Sequence, residues 1–236
     1  MRSELFKAES MAQAPTAPGM VLQHSKCVKY VVNGEVLARQ GAMIAYRGQL
    51  QFEAKSQGAG NFIRRAVTGE GVPLMACRGQ GEIWFAQAAA DCFIIDVEQG
   101  DALSINGRNV LLFDPGLQYQ IQKVPGAGMF GGGLFNSVFT GQGKLAITCD
   151  GPPVVIPVAP NQPVFVDTDA VIGWSANLQS SIQKSQSLGS MLRGGSGELF
   201  QLALNGQGFV IIQPSEGQAG PAQQSKGGGL LGGLGG

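Results

Sequence analysis

Histidine is the scarcest chemistry-bearing residue in this 236-residue chain; the single copy is His24. A metal centre of the kind cradled in β-barrels needs several imidazoles, and a Ser–His–Asp triad needs one held on the core scaffold. His24 stands ahead of the first apolar run and reads as a surface residue. The four cysteines, Cys27, Cys77, Cys92 and Cys149, form no CxxC pair. Each lies among apolar or β-prone neighbours, so they read as reduced core residues, with a disulfide as the minor alternative. Carboxylates are thinly spread. Asp167 and Asp169 form an Asp-x-Asp after an apolar run, and Asp91, Asp96, Glu98 and Asp101 form a loose group. A divalent-cation site from the first pair is one reading; turn capping by Asp side chains explains all of them more simply.

The run Gly126-Ala127-Gly128-Met129-Phe130-Gly131-Gly132-Gly133-Leu134 invites comparison with a phosphate loop. It lacks the Gly-Lys-Ser/Thr ending, and no helical pattern follows it to supply a helix N-terminus. Its apolar members instead make Met129, Phe130, Leu134 and Phe135 a candidate interaction loop. Arg64-Arg65 is the one tight basic pair in the body of the chain. No catalytic residue, cofactor-binding residue or metal ligand emerges, so the chain is expected not to be an enzyme and to carry no cofactor.

Composition narrows the classes further. Sixteen basic residues balance sixteen acidic ones. Nucleic-acid binding draws most of its affinity from phosphate neutralisation, so this balance argues against DNA and ranks RNA low. Charged residues make up 14% and glycine contributes 37 residues. Few charges and many glycines suit a turn-rich chain with much buried or self-associating surface. No apolar stretch reaches transmembrane length. The N-terminal segment resembles neither a secretory signal nor a mitochondrial presequence: Arg2 and Lys7 are opposed by Glu4 and Glu9. The expected location is cytoplasmic.

The elements that would position these residues repeat. Gly79-Gln80-Gly81 recurs as Gly141-Gln142-Gly143 and Gly206-Gln207-Gly208, each between two β-prone runs. Strand, Gly-x-Gly, strand reads as a hairpin. A second block runs from Val36 to Gly41-Ala42-Met43-Ile44-Ala45, from Ile94 to Gly100, and from Val155 to Pro163-Val164-Phe165-Val166. A third is Leu50-Gln51 with Lys55, Leu117-Gln118 with Lys123, and Leu178-Gln179 with Lys184. Alternation such as Leu103-Ser104-Ile105-Asn106 favours strands. Asn33-Gly34, Asn106-Gly107 and Asp150-Gly151 add short-turn signals. The best helical stretch is Gln179 to Leu192, which is polar and interrupted by Gly189.

The expected fold is all-β: three-fold internally repeated β-sandwich units in a pseudo-threefold arrangement. The single β domain covers 23–213, with repeats at about 23–78, 79–140 and 141–213. A flexible segment, 1–22, precedes it, and a Gly-rich tail, 214–236, follows. The last strand, Phe209 to Gln213, is expected to seek the chain's own first strand and remove an open edge.

Several of these motifs together resemble a known family. Leu134-Phe135-Asn136, Phe139-Thr140-Gly141-Gln142-Gly143, Pro163-Val164-Phe165-Val166-Asp167 and Val171-Ile172-Gly173-Trp174 are similar to the family of altered inheritance of mitochondria protein twenty-four, over roughly residues 23–213. The resemblance implies a fold like that of the trp RNA-binding attenuation protein, related to the double-stranded β-helix, with three structural copies in one chain. It also implies a role in inner-membrane organisation for fungal mitochondrial members. It supplies no catalytic residues, and this chain looks like a bacterial member.

The leading function is a non-enzymatic binding or assembly (scaffold) protein, working as a homo-oligomer or with a protein partner. One alternative is a small-ligand-binding or enzymatic β protein with its site between repeats. Another is RNA binding by fold analogy, to which Lys55, Lys123 and Lys184 would contribute. Leu230, Leu231 and Leu234 in the tail offer a handle for a membrane surface.

Overall fold

The computed structural model describes residues 17–55, 72–125, 135–184 and 200–215, with Ser3, Lys7 and residues 10–12. Apart from one 3-10 turn at Gly107–Asn109, the regular elements among the described residues are all antiparallel strands. An opening strand β1 (Gly19–His24) lies along β2 (Cys27–Arg39), which is followed by β3 (Met43–Ala54) and β4 (Leu74–Phe85). The chain continues through β5 (Asp91–Val97), β6 (Ala102–Asn106), β7 (Val110–Phe113), β8 (Leu117–Lys123), β9 (Phe135–Gly141) and β10 (Gly143–Cys149). It ends with β11 (Val154–Val158), β12 (Val164–Asp167), β13 (Val171–Ser175), β14 (Gln179–Lys184), β15 (Phe200–Asn205) and β16 (Gly208–Ile212).

Pairing follows one scheme along the chain. In the middle segment β10 lies between β5 and β7, and β9 between β6 and β8. In the last, β16 lies between β11 and β13, and β15 between β12 and β14. The first segment carries the same neighbours on three long strands: each half of β4 lies between a half of β2 and a half of β3. The long strands bend at glycines with positive φ, among them Gly34 at 121° and Gly79 at 124°, which face each other across the ladder. The result is a seven-stranded sheet, β3-β4-β2-β7-β10-β5 with β1 on β2, a six-stranded sheet, β11-β16-β13-β6-β9-β8, and a three-stranded sheet, β12-β15-β14.

This corrects the hairpin reading of Gly-x-Gly. Gly79–Gly81 lies inside continuous β4. At Gly141–Gly143 the chain leaves β9 in the six-stranded sheet and enters β10 in the seven-stranded one; at Gly206–Gly208 it passes from β15 to β16. At these last two the flanking runs pair in different sheets, so there the tripeptide marks a joint between sheets. Asn33-Gly34 likewise lies within β2. Asn106-Gly107 opens the 3-10 turn, where the Asn106 side chain accepts from the Arg108 N–H. Asp150-Gly151 leads from one sheet to another. Gln179–Lys184 is strand, not helix. The expected mating of the last strand with the first is absent, because β16 is already flanked by β11 and β13, and β1 rests on β2. The second sequence block also falls out of step: Val36 to Ala38 lies in the half of β2 that pairs like β6, whereas Ile94 and Val155 lie in β5 and β11. The third block falls on one position throughout. Leu50 faces Gly79, Leu117 faces Gly141, and Leu178 packs on Gly206.

The inner strands are buried on both faces: every residue of β7 and β13 is buried, as are the last five of β10. Val28, Ile83 and Phe85 pack with Leu111 and Leu112. Phe113 meets Phe139 edge-to-face at 5.1 Å between ring centroids, in a cluster that reaches Leu74 and Ile211. Trp174, Val166, Leu202 and Leu204 form a third cluster. Rings in this geometry add about 0.5–1.5 kcal/mol beyond area burial.

All four cysteines are buried free thiols. Desolvation pushes Cys77, Cys92 and Cys149 up to about 11, with neighbouring Glu35, Cys27 and Asp91 adding to it. A thiol with so high a pKa is almost wholly protonated near neutral pH, and the thiolate is the nucleophile. The folded protein is therefore expected to resist iodoacetamide at neutral pH, with all four cysteines alkylated once denaturant is added; mass spectrometry of the intact chain reads the difference.

Candidate functional site

Among the described residues, two places bring successive segments together. At the first, β2 lies along β7, with Leu37 opposite Phe113 and Ala38 opposite Leu112. At the second, β6 lies along β13, with Leu103 opposite Ser175, Ser104 opposite Trp174 and Ile105 opposite Gly173. The offering residues share a position. Leu37 faces Ala76, three residues before Gly79, and Ser104 faces Val138, three before Gly141. The receiving strands share one as well. Phe113 faces Leu145 and Trp174 faces Val210, each two residues after the second glycine of the tripeptide. Beside each lies a β-bulge whose extra residue is Leu111 in β7 and Ile172 in β13. A bulge sharpens the local twist and re-aims its side chain. Phe113, Trp174, Leu111 and Ile172 are all buried.

One offering strand and one receiving strand remain unmated among the described residues. In β12, Phe165 faces Ala203, three residues before Gly206, the position of Leu37 and Ser104. In β3, Tyr46 faces Ile83, two residues after Gly81, the position of Phe113 and Trp174. Its bulge carries Ile44 as the extra residue, matching Leu111 and Ile172. These side chains are exposed: Ile44 61%, Tyr46 52% and Phe165 53%. Each strand pairs on one side, β12 with β15 and β3 with β4, leaving a row of backbone donors and acceptors on the other.

The β3 edge is stiffened by charge. Arg47 reaches the Glu82 carboxylate and lies over the Trp84 ring at 5.6 Å. Lys29, fully buried, meets the same carboxylate at 3.1 Å. Burial pushes the Glu82 carboxyl up, but hydrogen bonds and charge from Arg47 and Lys29 outweigh it and leave it below the usual carboxylate range. Tyr46 and Phe52 pack edge-to-face on the same strand at 4.9 Å.

A second feature is a cleft of about 300 Å³ lined by Gln87, Arg108, Asn109, Thr148, Asp150 and Gln213. Asn109 is buried, and its Nδ2 donates to the Thr148 carbonyl at 2.7 Å and to Gln213 Oε1 at 3.5 Å. Asn109 Oδ1 and Gln87 Oε1 are buried acceptors without a donor among the described residues. The neighbouring loop holds Ala88 and Ala89 at φ 47° and 56°, a strained region for residues with a Cβ.

The residues singled out from sequence have separate fates. Met129, Phe130 and Leu134 lie outside the described residues, as do Arg64 and Arg65, and Phe135 opens β9 opposite Lys123. His24 closes β1 and accepts the Lys26 N–H at 3.1 Å. Asp167 accepts the Asp169 N–H at 2.8 Å, and Asp169 pairs with Arg108 at 3.6 Å, so this pair caps a turn. Asp91 pairs with Lys26, Asp96 pairs with Lys144, and Asp101 accepts the Glu98 N–H. Lys55 meets Glu35 at 3.9 Å, while Lys123 and Lys184 close β8 and β14. Ile44, Tyr46 and Phe165 were missed as site residues. The available signal was a large aromatic at Phe165 in the position that holds Leu37 and Ser104.

Residues 22–215 match the family described as Mitochondrial biogenesis AIM24. The chain belongs to that family. Among solved structures, it is similar to protein SPYM3_0169 from Streptococcus pyogenes, with a TM-score of 0.65 and 21% identity over 83% of this chain and 92% of that one. At that identity the likeness speaks for the fold. No curated protein matches the chain. The AIM24 description names a process, mitochondrial biogenesis, and no reaction. Among the described residues of this AIM24 chain, no helix is long and apolar enough to cross a membrane.

Proposed function

We propose that this AIM24-family chain is a non-enzymatic binding and assembly protein whose working surface is the open strand edges. The observation that carries the reading is the exposure of Ile44, Tyr46 and Phe165 at the edges of β3 and β12. An unpaired edge is a template for further strand addition, and proteins commonly blunt such edges with charge, proline or a covering loop. Here the edge positions hold large apolar side chains, which supports recruitment of another polypeptide. Light scattering coupled to size exclusion, across a wide concentration range, tests this. Masses above the monomer, or a retained protein partner in native lysate, support it; a concentration-independent monomer that retains nothing overturns it.

The cleft at Asn109 favours a second reading, a small solute rich in hydrogen-bond donors. Two desolvated amide oxygens are costly to leave unpaired, on the order of 1–3 kcal/mol each. Binding of an ammonium- or hydroxyl-bearing compound that is lost in Asn109→Ala, followed by calorimetry, would support it. Equal binding by both proteins, or none by either, would remove it.

A further inference from the structure

We propose that the mate of the β12 edge is the β3 edge of a second copy of this chain, with Phe165 opposite Tyr46 and Val166 opposite Ala45. The inference rests on the assembly reading and specifies its partner. Twice within the chain an offering strand meets a receiving strand in one register: Leu37 on Phe113 with Ala38 on Leu112, and Ser104 on Trp174 with Ile105 on Gly173. Counted from the Gly-x-Gly joints, the same positions in the unmated strands are Phe165 and Val166 on one side, Tyr46 and Ala45 on the other.

Both internal junctions bury the receiving aromatic and the adjacent bulge residue, Leu111 or Ile172; only the open pair leaves Tyr46 and Ile44 in solvent. The surface needed to cover them is therefore already specified: an antiparallel strand with an apolar residue at the Phe165 position. Among the described residues there is one such edge and one such acceptor, and within the chain they are not paired with each other. A second copy supplies each to the other. The contact joins different surfaces of the two copies, so it is heterologous and closes into a ring or extends as a filament according to the rotation per step.

The test uses two full-length single variants, Tyr46→Cys and Phe165→Cys, at exposed positions that tolerate a small side chain. Directly opposed residues bring their Cβ atoms to about 4.5–5.5 Å, within reach of a disulfide after small adjustment or of a short bis-thiol reagent. Mixed and oxidised, the two variants are expected to give a cross-linked dimer whose joined peptides contain positions 46 and 165. Neither variant alone, nor the wild-type chain, should do so to the same extent. A 46–46 or 165–165 bridge as the main product overturns the proposal in favour of a symmetric contact. An internal bridge in the double variant, with no dimer, overturns it in favour of self-closure. Wild-type assembly without any 46–165 bridge overturns the mating while leaving the assembly reading standing; a wild-type monomer throughout overturns both. Phe165→Asp supplies an independent arm: loss of the higher mass with an unchanged circular dichroism spectrum is expected, and unchanged mass counts against the proposal.

Discussion

Gly79→Ala is expected to cost about 3 kcal/mol or more, a large share of the roughly 5–15 kcal/mol that holds a domain folded. The position has φ +124°, and a Cβ placed there would sit 2.1 Å from the Gln49 carbonyl oxygen and 3.4 Å from Leu50 Cα. The backbone strain alone is worth roughly 1–3 kcal/mol for a residue with a Cβ. The clash is with main chain across the ladder, so β3 and β4 must separate to relieve it, and the loss includes hydrogen bonds on both sides of the bend. Gly34→Ala is the matched control. It lies directly opposite, at φ +121°, with no atom within 4 Å of the added Cβ. It carries the strain without the collision, and should cost about 1–2 kcal/mol. Urea melts followed by circular dichroism give the comparison; equal midpoints for the two variants would show that the close approach of Gln49 is not what fixes the bend.

Lys29→Met is expected to be the next most damaging change, at about 3 kcal/mol. Lys29 and Glu82 are both buried, and removing the ammonium leaves a desolvated carboxylate with Arg47 as its remaining charged partner among the contacts resolved here. Breaking a buried pair from one side typically costs about 3–5 kcal/mol, whereas replacing both members by apolar residues of similar volume costs far less. Lys29→Met with Glu82→Leu should therefore recover part of the loss. The pH dependence follows from the depressed Glu82 pKa. The stabilisation is fully present above the unfolded carboxylate value, about 4.3, and is lost as pH falls through the lower folded value. Acid unfolding of the wild type should show this transition, and Glu82→Gln should flatten it. A Lys29→Met chain with wild-type stability near neutral pH would overturn the account.

Much of the local texture was legible because it depends on near neighbours. The strand character of Leu103 to Asn106 follows from alternation, and the Gly-x-Gly positions follow from spacing. Leu50, Leu117 and Leu178 could be matched because each must accompany a glycine that leaves room for it. What could not be read depends on partners far along the chain. A strand, a glycine pair and another strand look alike whether the two strands pair with each other or part into different sheets, and only the positions of β5, β7, β6 and β8 decide it for Gly141. The run Val36 to Ala38 looks like Ile94 to Val97 because both are short and apolar, yet one occupies the β6 position and the other is β5. Phe165 reads as core by the same logic, since its exposure is set by a strand that is missing beside it, not by its own neighbours in sequence.

The joints at Gly141 and Gly206 bear on how the molecule comes apart. A strand that runs out of one sheet and into another threads both layers on a single length of backbone. Fraying at the end of β9 pulls on β10, so the two sheets are mechanically in series across the joint and share one opening event. Amide protons in β9 and β10 should then exchange as one block through the same transient opening, whereas β3 and β12, singly paired within one chain, exchange ahead of it and independently when the chain is unassembled.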